Sequence, residues 1–370
     1  MSQFHPLTLL SRRPESARAQ VLEFEVPGDL AATFRPEPGQ HVVLRASPGG
    51  AELRRTYSVC AQGPGRFRIC VRSDGAGRMA DWLCGQLQPG QRVDVLAPTG
   101  RFVLSQASSA RCILAIAAGI GITPVVAIEG EALQANADAR VTLLYGSRST
   151  GETLFAEELQ ALKDQYPARL ALHFFMSREP QDTALYDGRI SGTKIRALAS
   201  AGFPAGAIDA AFLCAPESLM QEARQCLLAL GVPAARIHQE HFVAAAATTA
   251  QATSATVAVP GGKVAPAAAA VPGTAARTRV TVRMDGRVRH FDMPREGTQT
   301  VLEAAEEAGL DLPFSCKGGV CSTCRCHASQ GAVRMLQNYA LEDAEVEAGY
   351  ILTCQSIPGS AELELDYDRG

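Results

Sequence analysis

The chain has 370 residues, 46% of them hydrophobic, and a formal net charge of −3. That is enough apolar material for two or three packed cores and too little positive charge for a nucleic-acid binder. The longest apolar stretch, Cys112 to Ile128, is broken by Gly119, Gly121, Thr123 and Pro124 and reads as strand, turn and helix rather than as a membrane span, and no targeting segment opens the chain, so a cytoplasmic protein with neither membrane nor nucleic-acid partners is expected.

Up to about residue 105, short β-prone runs are bounded by Gly and Pro. Strands are predicted at Ala19–Glu25, His41–Ala46, Thr56–Cys60, Arg66–Arg72 and Arg92–Leu96, and the pattern predicts an antiparallel β-barrel domain over residues 1–107. From Arg111 the rhythm alternates. Strands are predicted at Cys112–Ala118, Arg140–Tyr145, Arg169–Met176, Ala211–Cys214 and Ile237–His241, with helices at Thr123–Gln134, Leu154–Leu162, Lys194–Ala199 and Glu217–Leu230. Continuous apolar strands separated by helices predict a doubly wound parallel α/β domain over residues 108–243, binding a nucleotide at the carboxyl ends of its strands.

Residues 244–276 are almost entirely Ala, Thr, Val, Pro and Gly, with Lys263 the only charge, and are expected to be a semi-flexible linker in which Ala permits local helix. Beyond it, residues 277–370 hold ten basic and fifteen acidic residues, a net −5 against +2 for the residues before them. Such an asymmetry favours transient docking of the two parts and is screened by salt.

This last segment carries Cys316, Cys321 and Cys324 as a Cys-x4-Cys-x2-Cys run, with Cys354 thirty residues on. The spacing is that of a plant-type [2Fe–2S] cluster, in which one compact loop supplies three soft thiolates and a distant turn the fourth. Lys317, Gly318, Gly319, Val320, Ser322 and Thr323 are small or flexible enough for backbone amides to turn toward the sulfurs. Structural zinc is a weaker reading, because zinc sites usually present two short cysteine hooks. A disulfide framework is weaker still, since eleven cysteines is an odd number and the others lie in apolar segments. Cys326 reads as a bystander.

Three motifs precede the cysteine run in fixed order: Arg55-Thr56-Tyr57-Ser58, Gly119-Ile120-Gly121-Ile122-Thr123-Pro124 and Cys214-Ala215-Pro216-Glu217. Over nearly its whole length the chain resembles the ferredoxin–NADP reductase family of flavoproteins fused to a C-terminal ferredoxin. The resemblance implies an FAD-binding barrel, a nicotinamide-nucleotide domain and a β-grasp ferredoxin domain. It places the Arg55 guanidinium on the flavin pyrophosphate, Tyr57 beside the isoalloxazine and the Ser58 hydroxyl near flavin N5; a planar guanidinium suits phosphate through paired, charge-assisted bonds. The segment Gly77-Arg78-Met79-Ala80 corresponds to a second flavin contact in which Ala80 replaces the usual hydroxyl, leaving backbone amides at a helix start to hold phosphate.

In the second motif Gly119 and Gly121 let the backbone approach a pyrophosphate while a helix opening near Thr123-Pro124 aims its free amides at it. The Cys214 thiol is implied to lie near the reactive nicotinamide carbon, making Ser58 and Cys214 the implied catalytic pair. Ala215 replaces a glycine of the family motif there. Glu240 and Phe242 match the final strand that abuts the flavin. His238 and His241, three apart in a predicted strand, are expected on opposite faces and need no metal role.

The loop Tyr145–Ser149 has no carboxylate for a free ribose 2′-hydroxyl, the feature expected for NADH. Arg148, the pair Ser177-Arg178 and Arg189 after Gly188 instead resemble a 2′-phosphate site, implying NADPH. A hydride donor and a one-electron cluster require an intermediary, the role a flavin fills. The opening Phe4-His5-Pro6-Leu7 and the domain order most resemble the branch of the family that serves phenylacetyl-CoA epoxidation, which implies a di-iron oxygenase component as electron acceptor. Reductases of other oxygenases or of hybrid-cluster proteins, and a redox-sensing module, remain alternatives.

Overall fold

The computed structural model describes residues 3–50, 52–73, 75, 78–104, 109–203, 205–242, 255–258 and 276–369. The chain divides into two compact units, residues 3–242 and 243–370.

Six strands, β1 (Phe4–Ser16), β2 (Ala19–Glu25), β3 (His41–Ala46), β4 (Leu53–Gly63), β5 (Arg66–Arg72) and β6 (Arg92–Thr99), close an antiparallel barrel in the order β1-β2-β5-β4-β3-β6. Helix α1 (Arg78–Gly85) follows β5 and packs Met79 and Leu83 into the barrel core. Phe24 and Phe67 stack there at 5.6 Å, and each buried aromatic of this kind contributes about 1.5–3 kcal/mol. The first strand is the element that periodicity did not predict. Pro6 and Pro14 lie within it, and a register shift between Leu9 and Ser11 leaves Leu10 41% exposed, which breaks the alternation of apolar residues.

The rest of the first unit alternates. It runs β7 (Cys112–Ala118), α2 (Ile122–Ala135), β8 (Arg140–Ser147), α3 (Ala156–Gln165), β9 (Leu170–Met176), α4 (Gly192–Ala201), β10 (Ala210–Cys214), α5 (Glu217–Ala229) and β11 (Ile237–Gln239). The all-parallel sheet has the order β11-β10-β7-β8-β9. Successive crossovers depart in opposite directions from β7, so a crevice opens at the carboxyl ends of β7 and β10. The last strand is shorter than predicted and ends at Gln239, so His241 lies beyond it and the alternation argument does not reach it. Its Nδ1 lies 2.7 Å from Glu217 Oε2, while His238 stacks on Phe212 at 5.0 Å.

In the second unit, β12 (Ala255–Ala258) lies within the expected linker. It is followed by β13 (Arg277–Met284), β14 (Arg287–Pro294), α6 (Val301–Glu307), β15 (Arg325–Gln330), β16 (Ala332–Met335), α7 (Asp343–Glu347), β17 (Tyr350–Leu352), β18 (Ser356–Pro358) and β19 (Glu362–Asp366). A five-stranded sheet of order β14-β13-β19-β15-β17, with β13 and β19 parallel, packs against α6 in a β-grasp arrangement. Thr300 and Glu303 form a capping box that fixes the start of α6. The β13–β14 turn is Asp285-Gly286, both at positive φ, as a two-residue hairpin requires. Where Ala richness suggested local helix, the described linker residues are instead a strand paired to β16; the remaining linker positions up to Ala275 lie outside the described residues. No helix among the described residues is long and apolar enough to cross a membrane.

Candidate functional site

On β4, the Arg55 guanidinium donates from Nη1 to the Arg54 carbonyl at 2.8 Å. Burial pushes the Tyr57 phenol up, with the Arg55 charge opposing, so the phenol stays protonated. Ser58 is 4% exposed, and its Oγ has no hydrogen-bond partner among the described residues. A buried orphan hydroxyl costs about 1–3 kcal/mol, which a ligand atom at hydrogen-bond distance would recover. A flavin ring nitrogen fits that need. At the start of α1, Met79 sinks into the barrel core and Ala80 packs beside it. Gly77 and the Arg78 side chain lie outside the described residues.

After β7 the chain makes a single 3-10 turn over Gly119–Gly121 and enters α2. Gly119 has φ +54°, and a Cβ on Gly121 would sit 2.0 Å from the Cys214 carbonyl oxygen and 3.2 Å from its sulfur. Only glycine permits the nucleotide turn to lie against Cys214. The Tyr145 hydroxyl donates to the Gly119 carbonyl at 3.1 Å and accepts from Leu154 N–H at 3.2 Å, bracing the turn from beneath. Thr123 is buried and its hydroxyl donates to the Ile120 carbonyl at 2.9 Å, so it shapes the turn from within; Pro124 is buried in the first turn of α2.

Sequence reasoning missed Arg72. A Cβ on Gly119 would lie 2.9 Å from its Nη1, which places this exposed guanidinium over the nucleotide turn from the end of β5. The two are brought together only by the packing of barrel on α/β sheet.

The carboxyl ends of β8 and β9 gather the remaining predicted residues. Ser177 donates from Oγ to the Ser147 carbonyl at 3.2 Å, and Arg178 N–H donates to the Arg148 carbonyl at 2.8 Å. Gly188 N–H bonds the Met176 carbonyl at 2.7 Å and sets Arg189 at the same edge. Arg148 is engaged by Glu152 at 3.4 Å, whereas the exposed guanidinium groups of Arg178 and Arg189 pair with no carboxylate among the described residues.

Cys214, fully buried at the end of β10, is pushed well above the ordinary thiol range by burial and then by the Glu240 charge, so it is a neutral thiol. Glu240 continues past β11 with its N–H on the Leu213 carbonyl at 3.0 Å. Its Oε1 lies 3.7 Å from Nδ1 of His41, a second residue that sequence reasoning missed. Phe242 stands 42% exposed at the end of this unit.

In the second unit the four predicted thiols form two contacting pairs, Cys316 with Cys321 and Cys324 with Cys354. The hydrogen bond from Cys321, helped by the amides of Gly318, Val320 and Cys321, brings the Cys316 thiol down to about 6. Cys321 and Cys324 are pushed up, each first by the hydrogen bond to its partner and then by burial. Lys317, Gly319 and Ser322 adopt positive φ and curl the loop so that its amides point inward; Gly318 N–H reaches Cys316 Sγ at 3.3 Å. Gln355 clamps the fourth thiol, its Nε2 2.9 Å from the Lys317 carbonyl and 3.6 Å from Cys354 Sγ. Among the described residues no three ligating groups gather round one ion. Two thiol pairs suit two irons better than one zinc. Cys326 lies in the core beneath, with Tyr367 hydrogen-bonded to its sulfur.

Residues 6–104 match the oxidoreductase FAD-binding domain family, residues 115–225 the oxidoreductase NAD-binding domain family and residues 283–359 the 2Fe-2S iron-sulfur cluster binding domain family. The chain is 38% identical over 370 residues to one of the subunits of 1,2-phenylacetyl-CoA epoxidase from Escherichia coli (strain K12), covering 100% of this chain and 99% of that one. It is 32% identical to the ferredoxin reductase component of 3-ketosteroid-9-alpha-monooxygenase of Rhodococcus rhodochrous, over 98% of this chain and 96% of that one. Among solved structures it resembles phthalate dioxygenase reductase, with a TM-score of 0.58, 25% identity and 98% of both chains covered. The orphan serine falls within the FAD-binding match, the glycine turn against Cys214 within the NAD-binding match and the paired thiols within the 2Fe-2S match, and the chain belongs to the ferredoxin–NADP reductase-like flavoproteins with a C-terminal [2Fe–2S] domain, electron-transfer oxidoreductases that use FAD and NAD(P)H.

Proposed function

We propose that the chain carries electrons from NADPH through FAD and a [2Fe–2S] cluster to a di-iron oxygenase component in the cytoplasm, specifically one that epoxidises phenylacetyl-CoA. The observation that carries this reading is the full-length likeness to the Escherichia coli epoxidase protein. In this reading residues 1–107 hold the flavin, 108–243 the nucleotide and 277–370 the cluster, with 244–276 as linker. When bound, the flavin converts a two-electron hydride into single electrons that a cluster can relay.

The chain's own residues supply binding and orientation. Arg55 and the amides opening α1 hold the flavin pyrophosphate, Tyr57 flanks the ring and Ser58 donates to N5. Arg72 and the Gly119–Gly121 turn hold the nucleotide pyrophosphate. The neutral Cys214 thiol backs the nicotinamide without placing a charge beside it. Cys316, Cys321, Cys324 and Cys354 ligate the two irons.

The preference for NADPH follows from the arginines. Among the described residues the Arg178 and Arg189 guanidinium groups are not spent on carboxylates, Ser177 precedes Arg178, and Arg148 is second in rank because Glu152 holds it. Each contact to a 2′-phosphate is worth about 1.5–3 kcal/mol. Arg178→Ala and Arg189→Ala therefore raise the KM for NADPH by about tenfold or more and leave NADH kinetics nearly unchanged, measured by ferricyanide reduction. Equal losses with both nucleotides would rule out the 2′-phosphate assignment. The acceptor is tested by adding the purified epoxidase component, phenylacetyl-CoA and NADPH, and following product. A second reading, a reductase for another monooxygenase, draws on the likeness to the Rhodococcus rhodochrous reductase component; product formation only with that oxygenase would select it.

A further inference from the structure

We propose that His41 is a positioning residue for hydride transfer, holding the Glu240 carboxylate, and with it the end of the nucleotide-binding half, against the flavin-facing strand of the barrel. The inference deepens the proposed function and rests on its placement of Ser58 and Cys214 on either side of the hydride path.

His41 opens β3 directly opposite Ser58 on β4 and Thr99 on β6. It is 2% exposed, an unusual depth for a histidine at a strand end. Gly100 makes the space for its ring: a Cβ there would lie 2.9 Å from Nδ1, and the residue has φ +119°. Across the seam between barrel and α/β sheet, Glu240 Oε1 lies 3.7 Å from the same Nδ1.

The same carboxylate also acts on Cys214, which the proposed function puts beside the nicotinamide. The Glu240 backbone N–H is fixed to the Leu213 carbonyl at 3.0 Å. One carboxylate therefore bridges an imidazole beside Ser58 and a thiol beside the nicotinamide. A polar contact shielded from water is stronger than the same contact at the surface and holds a single geometry. Ser58 and Cys214 belong to different halves of the unit, and hydride transfer tolerates little change in their separation. The His41–Glu240 contact is a polar tie across that gap.

The test uses the flavin-loaded full chain. His41→Ala is expected to slow the limiting rate of flavin reduction by NADPH in stopped flow about tenfold while changing the NADPH dissociation constant less than about twofold, the split expected of lost alignment rather than lost binding. His41→Gln, which keeps a donor, recovers part of the rate. Independently of activity, His41→Ala speeds deuterium exchange in the peptide spanning residues 238–242, because without the carboxylate contact the segment moves more freely and the Glu240 N–H opens more often from the Leu213 carbonyl. The double variant with Glu240→Ala is no slower than the slower single variant.

Unchanged exchange in that peptide, or additive rate losses in the double variant, overturns the proposal. If His41→Ala fails to hold flavin, His41→Gln and Glu240→Gln decide by the same two readouts. Ser58→Ala separates this failure from failure of the site reading. If Ser58→Ala slows flavin reduction and the His41 variants do not, the tie alone is wrong; if Ser58→Ala has no effect, the hydride path lies elsewhere and the tie falls with it.

Discussion

Glu129 lies on the face of α2 that also carries Ile122, Val125, Ala132 and Leu133, fully buried, with neither carboxyl oxygen hydrogen-bonded among the described residues. Desolvation alone pushes its carboxyl from the ordinary value up to about 8. The folded chain therefore keeps a proton there that the unfolded chain releases above its ordinary carboxylate value. The contribution of this group to stability is full below about pH 4.5, falls as pH rises and levels off above about pH 8, a loss of roughly 5 kcal/mol at most. Glu129→Leu is expected to raise Tm by an amount that grows between pH 5 and pH 8.5; a gain independent of pH would show the carboxyl to be solvated. For the cluster, Cys316→Ser, Cys321→Ser, Cys324→Ser and Cys354→Ser are each expected to lose iron and the visible absorption, while Cys326→Ser, whose sulfur bonds Tyr367 in the core, keeps both. Loss of iron in Cys326→Ser with retention in Cys324→Ser would reassign the ligands.

At the scale of elements, β12 turns part of a low-complexity segment into structure. Ala255–Ala258 pairs antiparallel with Ala332–Met335, whose other edge pairs with β18 just beyond Cys354 and Gln355. Thr256 and Val257 supply adjacent β-branched residues, which favour an extended strand. Replacing Ala255–Ala258 by Gly-Ser-Gly-Ser keeps the chain length and removes the strand preference, so amide exchange across Ala332–Met335 should quicken about tenfold or more as β16 becomes an edge. Unchanged exchange would mean that the pairing is not populated in solution. Most elements were legible from period and punctuation, β2, β3, β5 and β7 to the residue. In the first unit β1, which is bulged, was not legible and β11 is two residues shorter than predicted; β12 has no pattern of its own and is a strand because β16 pairs with it, and the elements after it were expected only as a β-grasp domain.

At the scale of the whole molecule, the chain separates into residues 3–242 and 243–370. Ending the chain at Phe242 is expected to leave a unit that binds flavin and reduces ferricyanide with NADPH at a rate within about twofold of the full chain, since flavin and nucleotide contacts lie within it. The same truncation should fail to support the oxygenase. Full oxygenase turnover by the truncated unit would make the flavin, not the cluster, the exit port.

The spacing Cys316, Cys321, Cys324 and Cys354 and the Gly119–Pro124 turn could be read from sequence because ligand chemistry and backbone conformation favour those residue types at those intervals, whereas the Arg55–Ser58 motif was read through the family resemblance. What they touch was not legible. Gly121 against Cys214, Arg72 over Gly119, Gln355 on Lys317 and His41 beside Glu240 are all contacts between segments that tertiary packing brings together. Two others are local and lay within reach of sequence spacing: Thr123 donates to the Ile120 carbonyl three residues back, and Arg148 pairs with Glu152 four residues on. Local sequence sets the conformation of a turn through a few dihedral angles, whereas the partner that a side chain meets depends on strand order and on packing between layers, which no local interval encodes.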